Sequence, residues 1–241
     1  PARPPISSRA CWPKSSNPSG ARTSSSKTRA AVAGCRRWKP FDWRRPIPDI
    51  GLQLRQRLQQ LLADHKDVPI HLLAHSMGGL VARAALFGPD QAQAFGDDAG
   101  QPPSTADADA LWKELRRRGS RLLMLGTPNV GSYAQVQLLA QQHQLSHLLA
   151  SLARKVSPED LARWGGQYHG LMQMLPRDAD KVYGDLCEPG AWATLRADDS
   201  LVQLPDAATL RQARRFRTWR DTQFKALQDD PQVFYVAGCG D

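Results

Sequence analysis

One junction constrains this chain more than any other feature. Val68-Pro69-Ile70-His71-Leu72-Leu73-Ala74 is short and almost continuously apolar. Three residues later Gly78-Gly79-Leu80-Val81-Ala82-Arg83-Ala84-Ala85-Leu86 begins. The first run has the length and pattern of a strand buried on both faces, and the second suits a helix packed against a sheet. Ser76 stands between them, in Ala74-His75-Ser76-Met77-Gly78-Gly79. A strand that turns at once into a helix lifts the turn residue above the sheet in a strained backbone, which requires small residues two positions away on each side. Ala74 and Gly78 meet that demand.

The rest of the chain reads around this junction. Ile50, Leu54, Leu58 and Leu61 recur at helical spacing, so a helix is predicted over 50–64. Residues 96–109 are polar and rich in breakers, hence a loop, and 111–117 form a short helix. A second buried strand covers 121–125 and stops at Gly126-Thr127-Pro128. Residues 133–227 read as mainly helical: Leu145, Leu149 and Leu152 share one face, and Phe216, Trp219 and Leu227 do so more loosely. A third strand covers 232–237, halted at Gly238. Strand, helix, strand, long helical insert, strand is the order of the α/β class, a mainly parallel sheet flanked by helices.

The 241 residues have room for one large domain or two small ones. The net charge of +9 at first suggests a nucleic-acid or membrane partner. Its distribution argues otherwise. The first 40 residues hold nine Lys and Arg and no acid, whereas 41–241 hold 23 basic and 23 acidic residues. Residues 1–39, rich in Ser, Pro, Arg, Ala and Gly with no helical or strand period, are read as a disordered basic leader. The folded domain is 40–241. No nucleic-acid partner is expected from a balanced domain. No apolar run reaches the roughly 20 residues of a transmembrane helix. No basic start followed by an apolar stretch opens the chain, so there is no visible secretory signal and the cytoplasm is favoured. The four cysteines (11, 35, 187 and 239) are better read as free thiols than as a scaffold, with a single Cys11–Cys35 or Cys187–Cys239 bridge left open. No cofactor or metal site is expected.

The chemistry concentrates at the junction. Ser76 beside a helix N-terminus is the candidate nucleophile, and the Met77 N–H points where an oxyanion would form. Residues 74–79 resemble the nucleophile elbow of α/β-hydrolase lipases, in the variant with Ala at the first small position. Leu125-Gly126-Thr127-Pro128-Asn129-Val130-Gly131-Ser132 resembles the Gly-Thr-Pro-x-x-Gly-Ser segment that follows a later strand in many lipases. Phe41-Asp42-Trp43-Arg44-Arg45-Pro46 resembles the aromatic-Asp-Trp-Arg segment of the lecithin:cholesterol acyltransferase-like branch. Met174-Leu175-Pro176 and Phe234-Tyr235-Val236-Ala237-Gly238 are weaker matches to the same branch. The resemblance spans about 40–241. It implies a partial α/β-hydrolase fold in which 133–227 forms a helical cap, and an activity on lipid or small-molecule esters through an acyl-enzyme, ending in hydrolysis or acyl transfer.

The resemblance also says what to look for and not find. A serine needs a histidine to take its proton and a carboxylate to orient that histidine, in the chain order Ser, acid, His. The histidines after Ser76 are His143, His147 and His169, all before the third strand. Gly240-Asp241 ends the sequence where the family places its acid. The expectation is therefore an incomplete member, with acid and base beyond residue 241, no recognisable second oxyanion loop upstream, and little turnover. The alternative reading is a catalytically silent fragment that at most binds ligand. His75 is assigned to packing or local hydrogen bonding, and Asp42 to capping a turn or pairing with an Arg. Arg116-Arg117-Arg118 is assigned to a helix C-terminus, and Trp164, Tyr168, Met172 and Met174 are equally an acyl pocket or cap core. No oligomeric state is indicated.

Overall fold

Three short parallel strands carry the fold in the order β1-β2-β3: β1 Leu72–His75, β2 Leu122–Leu125 and β3 Val233–Val236. Their register is continuous, with Leu72 opposite Leu122 opposite Val233, and His75 opposite Leu125 opposite Val236. The structure is a computed structural model that describes residues 44–95, 103–139, 165–177, 184–195 and 204–237. All of them belong to one unit, Phe41–Asp241. The leader, Asp42, Asp97, Asp98, His143, His147, Trp164, Cys11, Cys35, Cys239 and Asp241 lie outside the described residues, as do Leu145, Leu149 and Leu152.

Helix α1 spans Ile47–Asp64, three residues earlier than the periodicity predicts. Its first turn contains Pro48, whose missing N–H costs nothing where no intrahelical acceptor exists. The Ile47 N–H is met instead by the Gln173 side chain at 2.6 Å. Helix α2, Met77–Phe87, follows β1 directly and is buried almost all round, as an apolar helix must be. The two helices cross closely because Gly51 has no side chain: a Cβ there would lie 2.6 Å from the Ala84 Cβ. Arg55 secures the crossing. Its guanidinium donates to the carbonyls of Ala84, Ala85, Gly88 and Pro89 at the end of α2, and pairs with Asp90 at 2.8 Å.

Helix α3 spans Ala106–Arg117, so the predicted loop over 96–109 ends earlier than the sequence suggests. The helix starts with polar residues that resemble a loop. Asp107 and Asp109 occupy the first turn, where negative charge suits the helix dipole, and Thr105 Oγ1 donates to Asp109 at 2.8 Å. Arg116 and Arg117 occupy the last turn, as predicted. After β2 come α4 (Ala134–Leu139), a 3₁₀ turn, α5 (His169–Met172), α6 (Pro189–Leu195) and the long α7 (Ala207–Leu227). Asp206 caps α7 by accepting from the Thr209 N–H at 2.7 Å.

The first strand differs from expectation in two ways. It starts at Leu72 rather than Val68, because Pro69 offers no N–H, the Ile70 N–H is taken by Ser120 Oγ, and ladder pairing begins at Leu72 N to Arg121 O. It is also not buried on both faces. Ala74, Leu122 and Met124 sink into a core with Leu58, Leu62, Ala82, Leu111 and Leu115 from α1, α2 and α3. On the opposite face Leu73 is 71 % exposed and Phe234 43 %. A second core joins Met77, Leu80 and Val81 of α2 to Leu171, Met172, Trp192, Leu210 and Phe216. The result is a small parallel sheet flanked by helices, a partial α/β fold. Among the described residues no helix is long and apolar enough to cross a membrane.

Candidate active site

Ser76 has φ +53° and ψ −131°. Among the described residues only Asp67 shares a positive φ outside glycine. A side-chain-bearing residue held there stores about 1–3 kcal/mol, and such strain clusters at functional sites. Two backbone bonds hold the conformation. The Ser76 N–H donates to the Leu125 carbonyl at 2.9 Å, extending the β1–β2 ladder by one residue. The Ser76 carbonyl accepts from the Gly79 N–H at 3.1 Å. A serine preceding a helix normally folds its hydroxyl back onto the first turn. Here the side chain makes no such cap bond, and the residue is exposed.

Met77 opens α2. Its side chain is buried, and its N–H is among those that the helix cannot satisfy internally, at the positive end of the helix dipole. A tetrahedral oxyanion beside Ser76 is the species such a donor stabilises. The first turn of α2 lies against Thr127 so closely that a Cβ on Gly79 would overlap Thr127 Oγ1 and come within 2.5 Å of its Cγ2. Gly79 therefore serves close approach, whereas Ala74 and Gly78 are the small neighbours that the turn itself requires.

Thr127 is 1 % exposed. Its carbonyl accepts from the Tyr235 hydroxyl at 3.0 Å. Two residues on, Asn129 Oδ1 accepts from Arg83 Nη1 at 2.9 Å. Arg83 is fully buried on α2, two turns from Ser76. Its Nε donates to Gln223 at 3.0 Å and its Nη2 to the Arg220 carbonyl, while Trp219 and Phe224 present their rings at 5.6 and 5.5 Å. Burial, and next the charge of Arg220, depress its pKa to about 9. This arginine ties the helix carrying Ser76 to the loop after β2 and to α7. No sequence motif marks this arginine. The available signal was a single charge inside an otherwise apolar helix.

The other candidate residues fall elsewhere. His75 is exposed beside the turn. His169 opens α5, and its Nδ1 is buried without a partner. No hydrogen bond joins Ser76 to a histidine among the described residues. Met172 and Met174 are packed core and Tyr168 is half-buried against it, so these three do not line an open acyl pocket. Cys187 is a buried free thiol whose pKa burial raises to about 11, which makes it a poor nucleophile.

The family model of lecithin:cholesterol acyltransferase matches residues 31–230. No curated protein and no solved structure matches the chain.

Proposed function

The chain belongs to the lecithin:cholesterol acyltransferase family, and from that premise we propose a serine-nucleophile lipid esterase or acyltransferase built on an α/β-hydrolase domain over 40–241. The observation that carries the reading is Ser76: a strained, exposed, uncapped serine between a parallel strand and a buried helix. Ser76 Oγ attacks the carbonyl carbon of a lipid ester and its proton passes to a base. The Met77 N–H holds the resulting oxyanion. Collapse breaks the bond from carbon to the alkoxy oxygen, and the alcohol leaves with the proton. The acyl-enzyme then gives its acyl group to water or to an acceptor alcohol, and Ser76 regains its proton. The family supports lipid esters as the substrate class. Leu171, Met172, Trp192 and Phe216, from the described helices of 133–227, pack with Met77 in one core, and a histidine oriented by a carboxylate would serve as the base.

A second reading, a ligand-binding protein without turnover, draws on the absence of a histidine bonded to Ser76 among the described residues. One experiment separates the two. A fluorophosphonate probe and a p-nitrophenyl ester are each applied to the parent and to Ser76→Ala. Labelling and hydrolysis that both vanish in Ser76→Ala support the enzyme. A parent that binds lipid ester yet neither labels nor turns over supports the silent reading. Equal labelling of parent and Ser76→Ala removes Ser76 as the nucleophile.

A further inference from the structure

Helix α2 meets the loop after β2 at two points on one face. Gly79 and Arg83 stand four residues apart on α2, one above the other. Against Gly79 lies the Thr127 side chain, so close that it excludes a Cβ. Against Arg83 lies Asn129, whose Oδ1 accepts from Nη1 at 2.9 Å. Between these points the loop is held on itself and on β3: the Thr127 carbonyl accepts from the Asn129 N–H at 2.8 Å and from the Tyr235 hydroxyl at 3.0 Å. The connection reaches Ser76 through the Gly79 N–H, which donates to the Ser76 carbonyl at 3.1 Å.

The two contacts do different things. Packed atoms resist approach steeply and separation only weakly, whereas a hydrogen bond resists separation. Gly79 against Thr127 therefore sets how near the loop can come, and Arg83 to Asn129 sets how far it can go. Arg83 is anchored from behind as well. Its Nε donates to Gln223 at 3.0 Å and its Nη2 to the Arg220 carbonyl, and the rings of Trp219 and Phe224 lie 5.6 and 5.5 Å from it. All three acceptors are neutral, so this fully buried guanidinium has no hydrogen-bonded carboxylate. Stability alone favours an apolar side chain at such a place. Departures of this kind concentrate at functional sites.

We propose that Arg83 is a positioning residue for acyl transfer at Ser76: by holding the loop after β2 against the first turn of α2, it fixes the backbone from which the Ser76 hydroxyl and the Met77 N–H project. The chemical consequence rests on the serine-esterase reading; the clamp itself does not. A displacement of about 1 Å at a reacting group can cost about 100-fold in rate, so loss of the clamp is read in rate more than in binding.

The test follows hydrogen exchange at the Ser76 and Gly79 amides and fluorophosphonate labelling of Ser76 in the full chain, well below the Tm of each protein. Arg83→Met should quicken exchange at both amides about tenfold and slow the maximal labelling rate about 10- to 100-fold, with the half-saturating probe concentration within about twofold. Asn129→Ala keeps Arg83 on α7 and cuts only its tie to the loop; it should reproduce both effects. Arg55→Met loosens the far end of α2 without touching that tie, so both readouts should stay within about twofold of the parent. Turn amides unchanged in Arg83→Met, or quickened equally by Arg55→Met, overturn the proposal, because Arg83 then only stabilises the fold. An effect of Arg83→Met that Asn129→Ala does not share overturns the route through the loop, and undiminished labelling overturns the positioning role. A parent that never labels at Ser76 refutes the serine-esterase reading instead, and exchange then decides on the clamp alone.

Discussion

Gly79→Ala should move the strained turn at Ser76 without altering Ser76 itself. The added Cβ would overlap Thr127 Oγ1 and lie 2.5 and 2.7 Å from the Thr127 Cγ2 and Cβ. An ordinary contact needs about 3.4 Å or more, so helix and loop must part by about an ångström. Thr127 is 1 % exposed, and its carbonyl is held by Tyr235. It has no room to withdraw, so the first turn of α2 must move. Overpacking a site of this kind costs about 1–3 kcal/mol, and the rigid neighbour argues for the upper end. Tm should fall by about 6–12 °C. Thr127→Gly removes all three offending atoms, so the double variant should recover part of the loss, with a coupling energy above about 1 kcal/mol. Thermal or urea unfolding of the four proteins reads the cycle, and fluorophosphonate labelling of Ser76 should slow in Gly79→Ala and recover in the double variant. A Gly79→Ala protein within about 1 °C of the parent, or strictly additive effects, would refute the close-approach argument.

Arg55→Met removes the guanidinium that serves four carbonyls at the end of α2 and leaves Asp90 half-buried without it. A loss of about 3–5 kcal/mol in urea unfolding is expected, against near-neutrality if the carbonyls find water. Asp185 is held at about 2, below its unfolded value of 3.8, chiefly by its hydrogen bond to Arg217. A depressed carboxylate contributes stability above the unfolded value and loses it as pH falls through the folded one, so Tm should drop between about pH 4 and pH 2. Arg217→Gln should flatten that drop, and an unchanged acid limb would exclude the pair as its source. Trp112→Phe deletes the indole bond to Asp230 at 2.9 Å while keeping an aromatic ring against Phe87; about 1 kcal/mol should be lost, measurable by the shift of the urea midpoint.

The strand–turn–helix around Ser76 and the strand after Arg121 were legible because their signals are local. Apolar runs, small residues at fixed offsets and a breaker such as Gly126 act within a few residues of chain. The family motifs are of the same kind, and so is the placement of Ser76 on the turn. Expectation failed wherever a partner elsewhere in the chain decides the outcome. The acidic first turn of α3 reads as loop until Asp90, seventeen residues earlier, is seen to accept from the Asp107 N–H at 3.2 Å. The strand begins at Leu72 because pairing with β2 begins there, not because its apolar run does. Leu73 is open to solvent because the described helices that pack on the sheet lie against the face of Ala74, Leu122 and Met124.

The candidate site divides along the same line. Sequence alone determined which serine stands on the turn and which backbone N–H follows it, since both depend on residues 74–79 and the backbone sterics of a sharp turn. Only the tertiary structure decided what holds that turn in place. Arg83 meets Asn129 across 46 positions, Gln223 across 140 and the Arg220 carbonyl across 137. No local pattern encodes a bond between residues so far apart. A guanidinium is tolerated in that core only because folding brings three acceptors to it at once, and the chain reveals them only when it has closed.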